Sequence, residues 1–454
     1  MNLKPNILAA IGKTPLVRLN KIVPKDSAEV WVKCEYLNPA GSIKDRMANY
    51  IIERAEEEGL LKPGGLIVEN TSGNTGQGLA MAAAVKGYRC IFTMPDKMSK
   101  EKQDSLKAYG AEVIITPTDV PGDSPEHYVN VAKRIAEEKN AFYVDQYHSQ
   151  WNIEAHYHST GREIFEDTEG KFDVFVGGTG TGGTVSGVGR YLKEHAPHIR
   201  IVGADPLGSV HYHLFHAKTL PTAHVYMVEG IGEDIECRAM DFSVVDDMRQ
   251  VNDRDSFVTA RRLVREEGLF CGGSSGSNVF VALQIAKEIG PGKVVLTVLP
   301  DHGNRYISKF LRDDWMKEHG FTEEEQELGF VEELLKNVKS TPLTANAEAP
   351  LRDVVALMRE HGVSQIPLIE RGKLNAIVHE SDILAKMREP GFSLDQIAMK
   401  ASSPLAGLIY PKARIEELFH IFATDHVAIV VDSSKVVGVI SKIDLIEYLA
   451  SKGR

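Results

Sequence analysis

The stretch GLIVENTSGNTGQGLAMAAAV at 65–85 decides the fold class. A short β-branched run ends in a loop of glycines and polar residues, and a helix of small residues follows. Backbone N–H groups at a helix N-terminus, together with nearby hydroxyls, form a cradle for an anion, either a carboxylate or a phosphate. The alternative is an ordinary glycine turn with capping residues. In both cases, the strand–loop–helix order predicts an α/β protein with ligands at such turns.

The same alternation of strand and helix continues from about residue 10 to residue 310. Helical stretches such as 47–61 and 128–139 separate the strand-like runs. This pattern predicts an α/β fold with a mainly parallel, buried sheet. The predicted strands are 29–37, 65–70, 89–94, 111–116, 173–178, 199–205 and 293–299.

Length and composition restrict the class of protein further. The 454 residues amount to roughly three domains' worth of chain. A hydrophobic content of 43% and a charged content of 25% are ordinary for a globular protein and exclude a disordered or fibrous one. The formal net charge of −11 argues against nucleic acid or an anionic membrane as the main partner.

Cysteine usage and the N-terminal segment indicate the compartment. The four cysteines lie far apart and form no CxxC pair, which favours a reducing environment over a disulfide framework. The N-terminal residues contain no sustained apolar run, so we expect no signal peptide. Apolar runs such as 79–85 are too short to span a membrane. We therefore expect a cytoplasmic protein.

The C-terminal third has a different organisation. An acidic, helix-like segment at 313–339 predicts a solvated linker helix. After it, the stretch 351–384 is repeated at 414–446, and each copy reads as helix, strand, strand, helix. Two copies predict a pseudo-symmetric pair. The expected divisions are 1–315 for a catalytic body, 316–340 for the linker and 341–454 for the pair, with copies at about 341–390 and 398–454.

Two further loops carry residues suited to ligand chemistry. In NPAGSIKDR at 38–46, Lys44 follows a turn and can project an amine into a cleft, although a surface lysine is the commoner outcome. The loop GGTGTGGTVSG at 177–187 satisfies GxGxxG, and Asp205 ends the next predicted strand, as in a dinucleotide site. The extra glycine and the threonines suit a single phosphate equally well, so NAD stays open at this point.

Two other groups of residues have simpler interpretations. The stretch CGGSSGSN at 271–278 predicts a capped helix start, with Ser274 or Ser275 as N-cap. Histidines cluster in a loop-like segment, but their spacing puts no two at i, i+4 on a helix face and no cysteine cluster accompanies them. We therefore expect no metal at His211, His213 and His216, or at His156 and His158.

Taken together and in this order, the loops resemble those of the fold-type II pyridoxal-phosphate enzymes. Within them they are most similar to the family that contains cystathionine β-synthase and O-acetylserine sulfhydrylase. The resemblance begins with IGKTPLVRL at 11–19 and covers essentially residues 5–310. It implies two open, twisted α/β lobes around pyridoxal 5′-phosphate. The C-terminal repeat resembles a pair of CBS motifs, an α+β regulatory (Bateman) module.

The resemblance also implies roles for individual residues. Lys44 matches the lysine that bonds covalently to the cofactor, Asn74 the contact to its 3-hydroxyl, and Ser274 the hydroxyl facing the pyridine nitrogen. The phosphate loop matches Gly180, Thr181, Gly182, Gly183 and Thr184. The substrate contacts match Thr71, Ser72, Thr75, Gln146, Tyr147, Gly230 and Gly232.

The implied activity is β-replacement, in which L-serine or an activated serine condenses with L-homocysteine to give L-cystathionine. Hydrogen sulfide release is an expected side reaction. The alternatives are O-acetylserine sulfhydrylase, which shares the loops, and a nucleotide-sensing relict without catalysis, which the intact Lys44, Asn74 and Ser274 argue against. The expected partners are small amino-acid and thiol substrates and a second copy of the chain, with a higher oligomer through the Bateman module as a further option. Neither nucleic acid nor a membrane is an expected partner.

The chain departs from the family pattern at several places. Asn70 stands before Thr71 where proline is familiar, and Glu233 stands where the animal and yeast enzymes have tyrosine. The chain begins close to the catalytic core, so we expect neither the haem-binding extension of the animal enzymes nor haem.

The two CBS motifs differ at two positions of the nucleotide pattern, one of which is Ala376 in the first motif in place of the glycine of the second. The second has Ser441 and Asp444, the pattern that holds an adenosyl ribose. The first keeps Asp382 but has His379 in place of the hydroxyl residue. The resemblance implies one competent site, for S-adenosylmethionine or an adenine nucleotide, and one degraded site. The alternative is a structural or dimerising module.

Overall fold

The chain divides into two compact units in the computed structural model. The first unit comprises the residues up to Lys218 together with Tyr226–Leu311, and the second comprises Thr219–Val225 with the chain from Arg312 onward. None of the described helices is long and apolar enough to cross a membrane. The structure describes residues 3–71, 73–96, 100–117, 120, 124–221, 223–321, 328–338, 342–370, 373–389, 391–403, 407–424, 427–432 and 435–452.

The first unit alternates strands with helices along its length, as the sequence predicts. All seven predicted strands are present, and three short or polar ones were not predicted. In chain order the strands are β1 (Leu16–Arg18), β2 (Glu29–Cys34), β3 (Leu66–Asn70), β4 (Arg89–Pro95), β5 (Glu112–Thr116), β6 (Phe142–Tyr143), β7 (Val174–Gly178), β8 (Arg200–Pro206), β9 (Asp247–Val251) and β10 (Val294–Leu299).

These strands form two sheets. The smaller has the order β5-β4-β3-β6 and is parallel throughout. The larger has the order β1-β2-β10-β7-β8-β9, and only β1 is antiparallel to its neighbour. The expected two-lobed α/β architecture with mainly parallel sheets is therefore confirmed.

Helices surround both sheets. The α-helices of the first unit are α1 (Lys44–Glu57), α2 (Asn74–Lys86), α3 (Lys100–Ala108), α4 (Tyr128–Glu138), α5 (Gln150–His156), α6 (Arg162–Thr168), α7 (Gly183–His195), α8 (His211–Ala217), α9 (Asp253–Glu267) and α10 (Gly273–Ile289). Short 3₁₀ turns lie at Ile7–Ala10, Glu35–Leu37, Phe242–Val244 and Gly303–Tyr306, and a π-helical turn at Tyr157–Gly161.

Three buried parallel strands position the loops of interest. β3 ends at Asn70, β7 at Gly178 and β10 at Leu299, and the central residues of all three strands are almost inaccessible to solvent. Because ligands of open α/β sheets bind beyond the carboxyl ends of the strands, the loops after these residues are the place to look for a site.

The structure corrects two local predictions. The N-cap of α10 is Gly272, so Ser274 and Ser275 lie inside the first helical turn and neither caps it. His211, His213 and His216 lie on helix α8 and not in a loop. Glycine stands at this N-cap because a Cβ there would overlap Asp301 Oδ1, a contact distant in sequence that the local sequence does not reveal.

The second unit contains the remaining elements. Its helices are α11 (Asp313–Glu318), α12 (Val331–Leu335), α13 (Leu351–His361), α14 (Glu380–Lys386), α15 (Glu417–Thr424) and α16 (Lys442–Ser451), with a 3₁₀ turn at Ala398–Ala401. Its strands are β11 (Ala345–Asn346), β12 (Gln365–Glu370), β13 (Lys373–His379), β14 (Leu408–Ile409), β15 (Val427–Asp432) and β16 (Lys435–Ser441).

The repeat found in the sequence is also a repeat in the structure. Each copy folds as helix, strand, strand, helix, with one additional short strand completing a three-stranded sheet, β11-β12-β13 in one and β14-β15-β16 in the other. The antiparallel pairs even share an irregularity, since the register shifts after Leu368 in one and after Val430 in the other. The predicted pair of related modules is thus confirmed.

Part of the expected acidic linker packs into the second unit. Val331 and Leu334 of α12 are fully buried. The backbone N–H groups of Val331 and Glu332 donate to the carbonyls of Ala413 and Pro411 at 2.9 and 2.8 Å. The segment around α12 is therefore not a solvated helix, because its apolar residues at i and i+3 supply core contacts.

Candidate active site

Lys44 is the first residue of α1 and is half-buried. Helix α2 approaches α1 closely at Gly78, where a Cβ would lie 3.1 Å from the Lys44 carbonyl oxygen and 3.0 Å from the Cβ of Ala48. Burial lowers the pKa of the Lys44 amine, and the charges of Glu233 and Asp301 oppose that shift only in part. The amine is therefore more available as a neutral base and nucleophile than an ordinary lysine.

The loop before α2 brings three predicted substrate contacts together. Thr71 Oγ1 accepts from the N–H of Gly76 at 3.2 Å, so it caps the first turn of α2. Thr75 donates its hydroxyl to Gln146 Oε1 at 2.7 Å, and all three side chains are buried. Ser72, the fourth predicted contact of this loop, lies outside the described residues.

Asn74 opens α2, and its amide is held on one side only. Its Nδ2 donates to Asp301 Oδ2 at 2.8 Å, and Tyr306 donates its hydroxyl to the same oxygen at 2.7 Å. Asn74 Oδ1 is buried and has no hydrogen-bond partner. A buried amide oxygen without a partner is costly, which indicates that a ligand completes this site.

The loop between β7 and α7 has no room for side chains at two of its glycines. Gly182 has φ +90, and a Cβ there would lie 2.5 Å from the Cα of Met240. A Cβ on Gly183 would overlap the Oδ1 atom of Asn152. Without side chains at these positions, backbone N–H groups line the loop at the N-terminus of α7, a 13-residue helix. This arrangement suits a phosphate.

Two hydroxyls of this loop are oriented by buried polar side chains. Asn152 donates from Nδ2 to Thr181 Oγ1 at 2.9 Å. Thr184 Oγ1 lies 3.2 Å from His156 Nε2, and His156 Nδ1 lies 2.9 Å from Thr160 Oγ1. His156 is fully buried, and burial, aided by the charges of Lys44 and Arg46, holds its pKa well below the ordinary value.

The loop Glu229–Gly230–Ile231–Gly232 lies against both the phosphate loop and the start of α10. A Cβ on Gly180 would lie 3.1 Å from the Gly230 carbonyl oxygen, and a Cβ on Gly230 would lie 3.9 Å from Ser274 Oγ. Gly232 donates its N–H to the Thr179 carbonyl at 2.8 Å. Three sequence-distant predictions, Gly180, Gly230 and Ser274, therefore meet in space.

Charged residues flank the same loop. Glu229 pairs with both Lys102 and Lys309. Burial alone would raise the pKa of Glu229, but the charges of these two lysines hold it below its ordinary value. Burial raises the pKa of Glu233 to about 8; the charge of Asp234 adds to this and that of Lys44 opposes it.

Glu233 also acts electrostatically on Tyr147, another predicted substrate contact. The charge of Glu233, together with burial, raises the pKa of Tyr147 well above its ordinary value.

The Asp205 carboxylate does not have the role that a dinucleotide site would require of it. Its Oδ1 accepts from the Thr179 hydroxyl at 2.8 Å and its Oδ2 from the Tyr212 N–H at 2.9 Å. The side chain is fully buried. Because both carboxylate oxygens already have protein donors, none is left for a ribose, and the NAD interpretation loses its acidic partner.

The residues present fit pyridoxal phosphate. The partnerless Asn74 Oδ1, the glycine cradle at Gly182 and Gly183, and the amine of Lys44 are respectively suited to a ring hydroxyl, a phosphate and an aldehyde. Ser274 is buried in the first turn of α10 and offers a neutral hydroxyl. Among the described residues, no group of three or more His, Cys, Asp or Glu could hold a metal ion.

The predicted regulatory residues have a visible structural role. Asp444 Oδ2 accepts from the N–H of Ser441 at 2.7 Å and from its hydroxyl at 2.5 Å, in a capping box at the start of α16. Asp382 Oδ2 accepts from the His379 N–H at 3.1 Å at the start of α14. The two sites are equivalent in the repeat, and only the second has a hydroxyl side chain at the N-cap.

Several residues of the site were not predicted from the sequence. Asp301 follows β10 directly, and its position at the carboxyl end of a parallel strand was a signal that could have identified it. Asn152 and His156 lie on a helix without any glycine loop and carried no such signal, since they reach the phosphate loop only through the tertiary fold.

Comparison with known proteins adds to this geometry. The chain matches the family described as "Pyridoxal-phosphate dependent enzyme" over residues 7–301 and the CBS domain over residues 331–389 and 407–451. It is 37% identical to O-ureido-L-serine synthase, whose crystal structure superposes with a TM-score of 0.64 and covers 71% of this chain and 98% of that one.

Curated relatives extend over nearly the whole chain. Cystathionine beta-synthase of Mus musculus is 41% identical, with 99% of this chain and 86% of the relative covered. That of Dictyostelium discoideum is 38% identical, with 98% and 92% covered. That of Saccharomyces cerevisiae is 35% identical, with 98% of each chain covered.

Proposed function

Because this chain belongs to the cystathionine β-synthase family of pyridoxal-phosphate-dependent enzymes, we propose that it condenses L-serine, or an activated serine, with L-homocysteine to give L-cystathionine. The chemistry is a pyridoxal-phosphate-dependent β-replacement, and the protein is a lyase. Release of hydrogen sulfide, when cysteine is the amino-acid substrate and a thiol replaces its sulfur, is a side reaction of the same site.

The observation that carries the proposal is the placement of the Lys44 amine. It lies at the start of α1 with a pKa lowered by burial, and the Asp301–Asn74 pair is near enough for the carboxylate to influence that pKa. An amine in this state can bond to the cofactor aldehyde and, once released, can accept a proton at Nζ.

Pyridoxal phosphate bound to Lys44 would supply an electron sink that acidifies the α-carbon of the amino-acid substrate. The protein then has to remove and return one proton. Lys44 Nζ takes the α-proton and is the group that returns it after the thiol has added at the β-carbon. Its lowered pKa gives a larger share of neutral amine than an ordinary lysine has at the same pH, which favours its role as a general base.

The substrate carboxylate is assigned to the buried polar cluster before α2. Thr71 and Thr75 stand at the N-terminus of a 13-residue helix, and Gln146 faces Thr75. The N-terminal N–H groups and these side chains provide donors for an anion. Binding the carboxylate there orients the amino acid relative to Lys44.

Ser274 and the glycine loop are assigned to the two ends of the cofactor ring. A neutral hydroxyl at Ser274 would face the ring nitrogen of the bound cofactor without supplying a charge to it, which would favour prompt loss of the substrate's β-substituent. The loop from Gly180 to Thr184 binds the phosphate through N–H groups at the start of α7.

Product analysis tests the function. Purified holoenzyme is incubated with L-serine or O-acetyl-L-serine, each with homocysteine or sulfide, and the amino-acid products are separated. Cystathionine as the main product with homocysteine supports the proposal, and cysteine formed from O-acetylserine and sulfide as the main product would favour the sulfhydrylase alternative. No product with any pair, from a protein shown to hold the cofactor, would favour the relict.

A matched pair of lysine variants completes this test. Lys44→Ala should abolish both the visible absorption of the lysine-bound cofactor and turnover. Lys139→Ala, which removes an exposed lysine after α4, should leave both unchanged. Wild-type protein that stays colourless after reconstitution with pyridoxal phosphate would contradict the proposal.

The second unit is assigned a regulatory site for an adenosyl compound in the second CBS motif. The support is the Ser441 hydroxyl at the N-cap of α16, a group that the first motif lacks. Calorimetry with S-adenosylmethionine, ATP and AMP on wild type and on Asp444→Ala and Asp382→Ala separates the motifs. Binding lost only in Asp444→Ala supports the assignment, and absence of heat with all three ligands argues for a structural module.

We further propose a cytoplasmic homodimer without haem. All four cysteines are buried and unpaired, which suits a reducing compartment. Light scattering coupled to gel filtration measures the oligomeric state, and a Soret band in protein purified with haem supplied would contradict the absence of haem.

A further inference from the structure

Asp301 is hydrogen-bonded to Asn74, which the proposed site assigns to the cofactor ring, and it has no function of its own in that site. It is 1% exposed and follows β10 directly. Its backbone is fixed on two sides, since its carbonyl accepts from the Gly272 N–H at 3.0 Å and it bridges to Ser42, two residues before Lys44.

The carboxylate of Asp301 uses one oxygen for two donors. Oδ2 accepts from Asn74 Nδ2 at 2.8 Å and from the Tyr306 hydroxyl at 2.7 Å. Burial raises the pKa of Asp301, while these two donors and the charge of Arg305 oppose that shift. Because Oδ2 acts as the acceptor, the nitrogen and not the oxygen of the Asn74 amide faces it.

This contact determines what Asn74 can present to a ligand. An amide has two orientations that differ by exchange of oxygen and nitrogen, and the carboxylate selects one. Asn74 Oδ1 and the second N–H are then left for the site, and Oδ1 is buried without a partner. The glycine at 272 is part of the arrangement, because a Cβ there would overlap Asp301 Oδ1.

We propose that Asp301 is a positioning residue that fixes the orientation of the Asn74 amide and, through it, the affinity and protonation pattern of the bound pyridoxal phosphate. The inference rests on the proposed cofactor site. Tyr306 has a supporting part, because its hydroxyl holds the same carboxylate oxygen and so restricts rotation of the Asp301 side chain.

A double-mutant cycle between Asp301 and Asn74 tests the proposal. The variants are Asp301→Asn, Asn74→Ala and the double variant, and the readouts are the dissociation constant of pyridoxal phosphate and the visible absorption spectrum of the holoenzyme. We expect each single variant to weaken cofactor binding about tenfold and to change the ratio of the absorption bands. The double variant should match Asn74→Ala, since Asp301 acts only through that amide.

Two outcomes would overturn the proposal. The first is an Asp301→Asn variant with wild-type affinity and spectrum. The second is additivity, in which Asp301→Asn has its full effect in the Asn74→Ala background, because that would mean a direct effect of the charge on Lys44. Either of these outcomes with a wild type that binds pyridoxal phosphate would refute this inference alone. A wild type that binds no pyridoxal phosphate would refute the proposed function, and this inference with it.

Tyr306→Phe keeps the test decisive should Asp301→Asn fold poorly. It removes one hydroxyl and leaves the carboxylate in place. We expect a smaller change in the same direction, about twofold to threefold in affinity, and none in the Asn74→Ala background. An unchanged Tyr306→Phe spectrum and affinity would count against the orienting role.

Discussion

The Nε2 atom of His156 lies 3.2 Å from the Oγ1 atom of Thr184, the last residue of the phosphate loop. The other ring nitrogen faces Thr160, which belongs to a π-helical turn directly after His156. Burial keeps the imidazole neutral, so one nitrogen donates and the other accepts. The π-turn, a feature frequent at functional sites, thus supports a chain of three polar side chains that ends at the loop.

We predict that His156→Ala weakens the binding of pyridoxal phosphate about fivefold to tenfold. The Thr184 hydroxyl loses its partner in a buried position and no longer has a fixed orientation. Fluorescence titration of the apoenzyme measures the affinity. His158→Ala, two residues away and exposed, is the control and should bind as wild type does; equal affinity in both variants would refute the prediction.

Replacing Gly183 by alanine should reduce cofactor affinity by at least tenfold. The added methyl group would overlap Asn152 Oδ1, and the loop or the asparagine must shift to make room. Equilibrium dialysis with pyridoxal phosphate measures the loss. Gly59→Ala is a suitable control because its surroundings are open within 4 Å, so only backbone strain at φ +70 is added and affinity should not change.

The buried ion pairs of Arg46 should matter for stability far more than surface pairs. Arg46 contacts Glu35 at 2.7 Å and Glu163 at 2.8 Å, and its side chain is 2% exposed. Arg46→Met removes the cationic partner of the fully buried Glu35 carboxylate, so we expect a loss of about 3–5 kcal/mol in unfolding free energy. Denaturant unfolding measures this loss.

An exposed pair provides the control for that measurement. Arg162 contacts Glu166 one helical turn away, and the two side chains are 61% and 55% exposed. Arg162→Ala should change the unfolding free energy by no more than about 0.5 kcal/mol. Similar losses in the Arg46 and Arg162 variants would contradict the assignment of the Arg46 cluster as a buried network.

The fully buried carboxyl of Glu69 predicts a pH dependence of stability. Burial raises the pKa of Glu69 to about 8, and the charge of Asp145 adds to this. Because the folded chain keeps a proton that the unfolded chain releases at much lower pH, stability falls as pH rises from the ordinary carboxyl pKa towards 8. Glu69→Gln should lose less stability than wild type over that range. The difference in unfolding free energy should reach a few kcal/mol at about pH 9.

Calorimetric unfolding at about pH 6 and about pH 9 checks this expectation. Glu138→Gln, at an exposed position on α4, should follow the wild-type pH dependence. The prediction fails if Glu69→Gln and wild type lose the same stability between the two pH values.

Glu233 should influence the reactivity of Lys44. Above the pKa of Glu233, about 8, its negative charge raises the lysine pKa, so Glu233→Gln should lower that pKa further in this pH range. The pH dependence of the rate at which the apoenzyme reacts with pyridoxal phosphate reports the change as a shift of the profile to lower pH. Glu236→Gln, close in sequence but exposed, should not shift it; a shift to higher pH with Glu233→Gln would show the opposite sign.

The parts of the fold that were predictable have strong local signals. Strands such as β3 and β10 are short β-branched runs bounded by glycine or proline, and their burial on both faces requires that composition. Strand β9, with the sequence DMRQV, lies at the edge of its sheet and is only partly buried. It was not predicted because its polar residues do not form the apolar pattern of a buried strand.

The candidate site divides in the same way. Gly182 and Gly183 were predictable because close packing leaves no room for a Cβ and the loop must therefore be glycine. The position of Asp301 after β10 was a usable signal, but its contact with Asn74 was not predictable, and neither was that of His156 with Thr184, since only the tertiary structure brings these partners together. The alternative interpretation of Ser274 or Ser275 as N-cap was wrong, because Gly272 is the N-cap of α10.

The seven residues Thr219–Val225 have a practical consequence for dissecting the protein. They belong to the second unit, yet they stand in the sequence between α8 and Glu229 of the first. The polypeptide therefore crosses between the units three times. A chain cut after Leu311 therefore separates Thr219–Val225 from the rest of the second unit, because the amino-terminal fragment retains those residues together with the whole first unit.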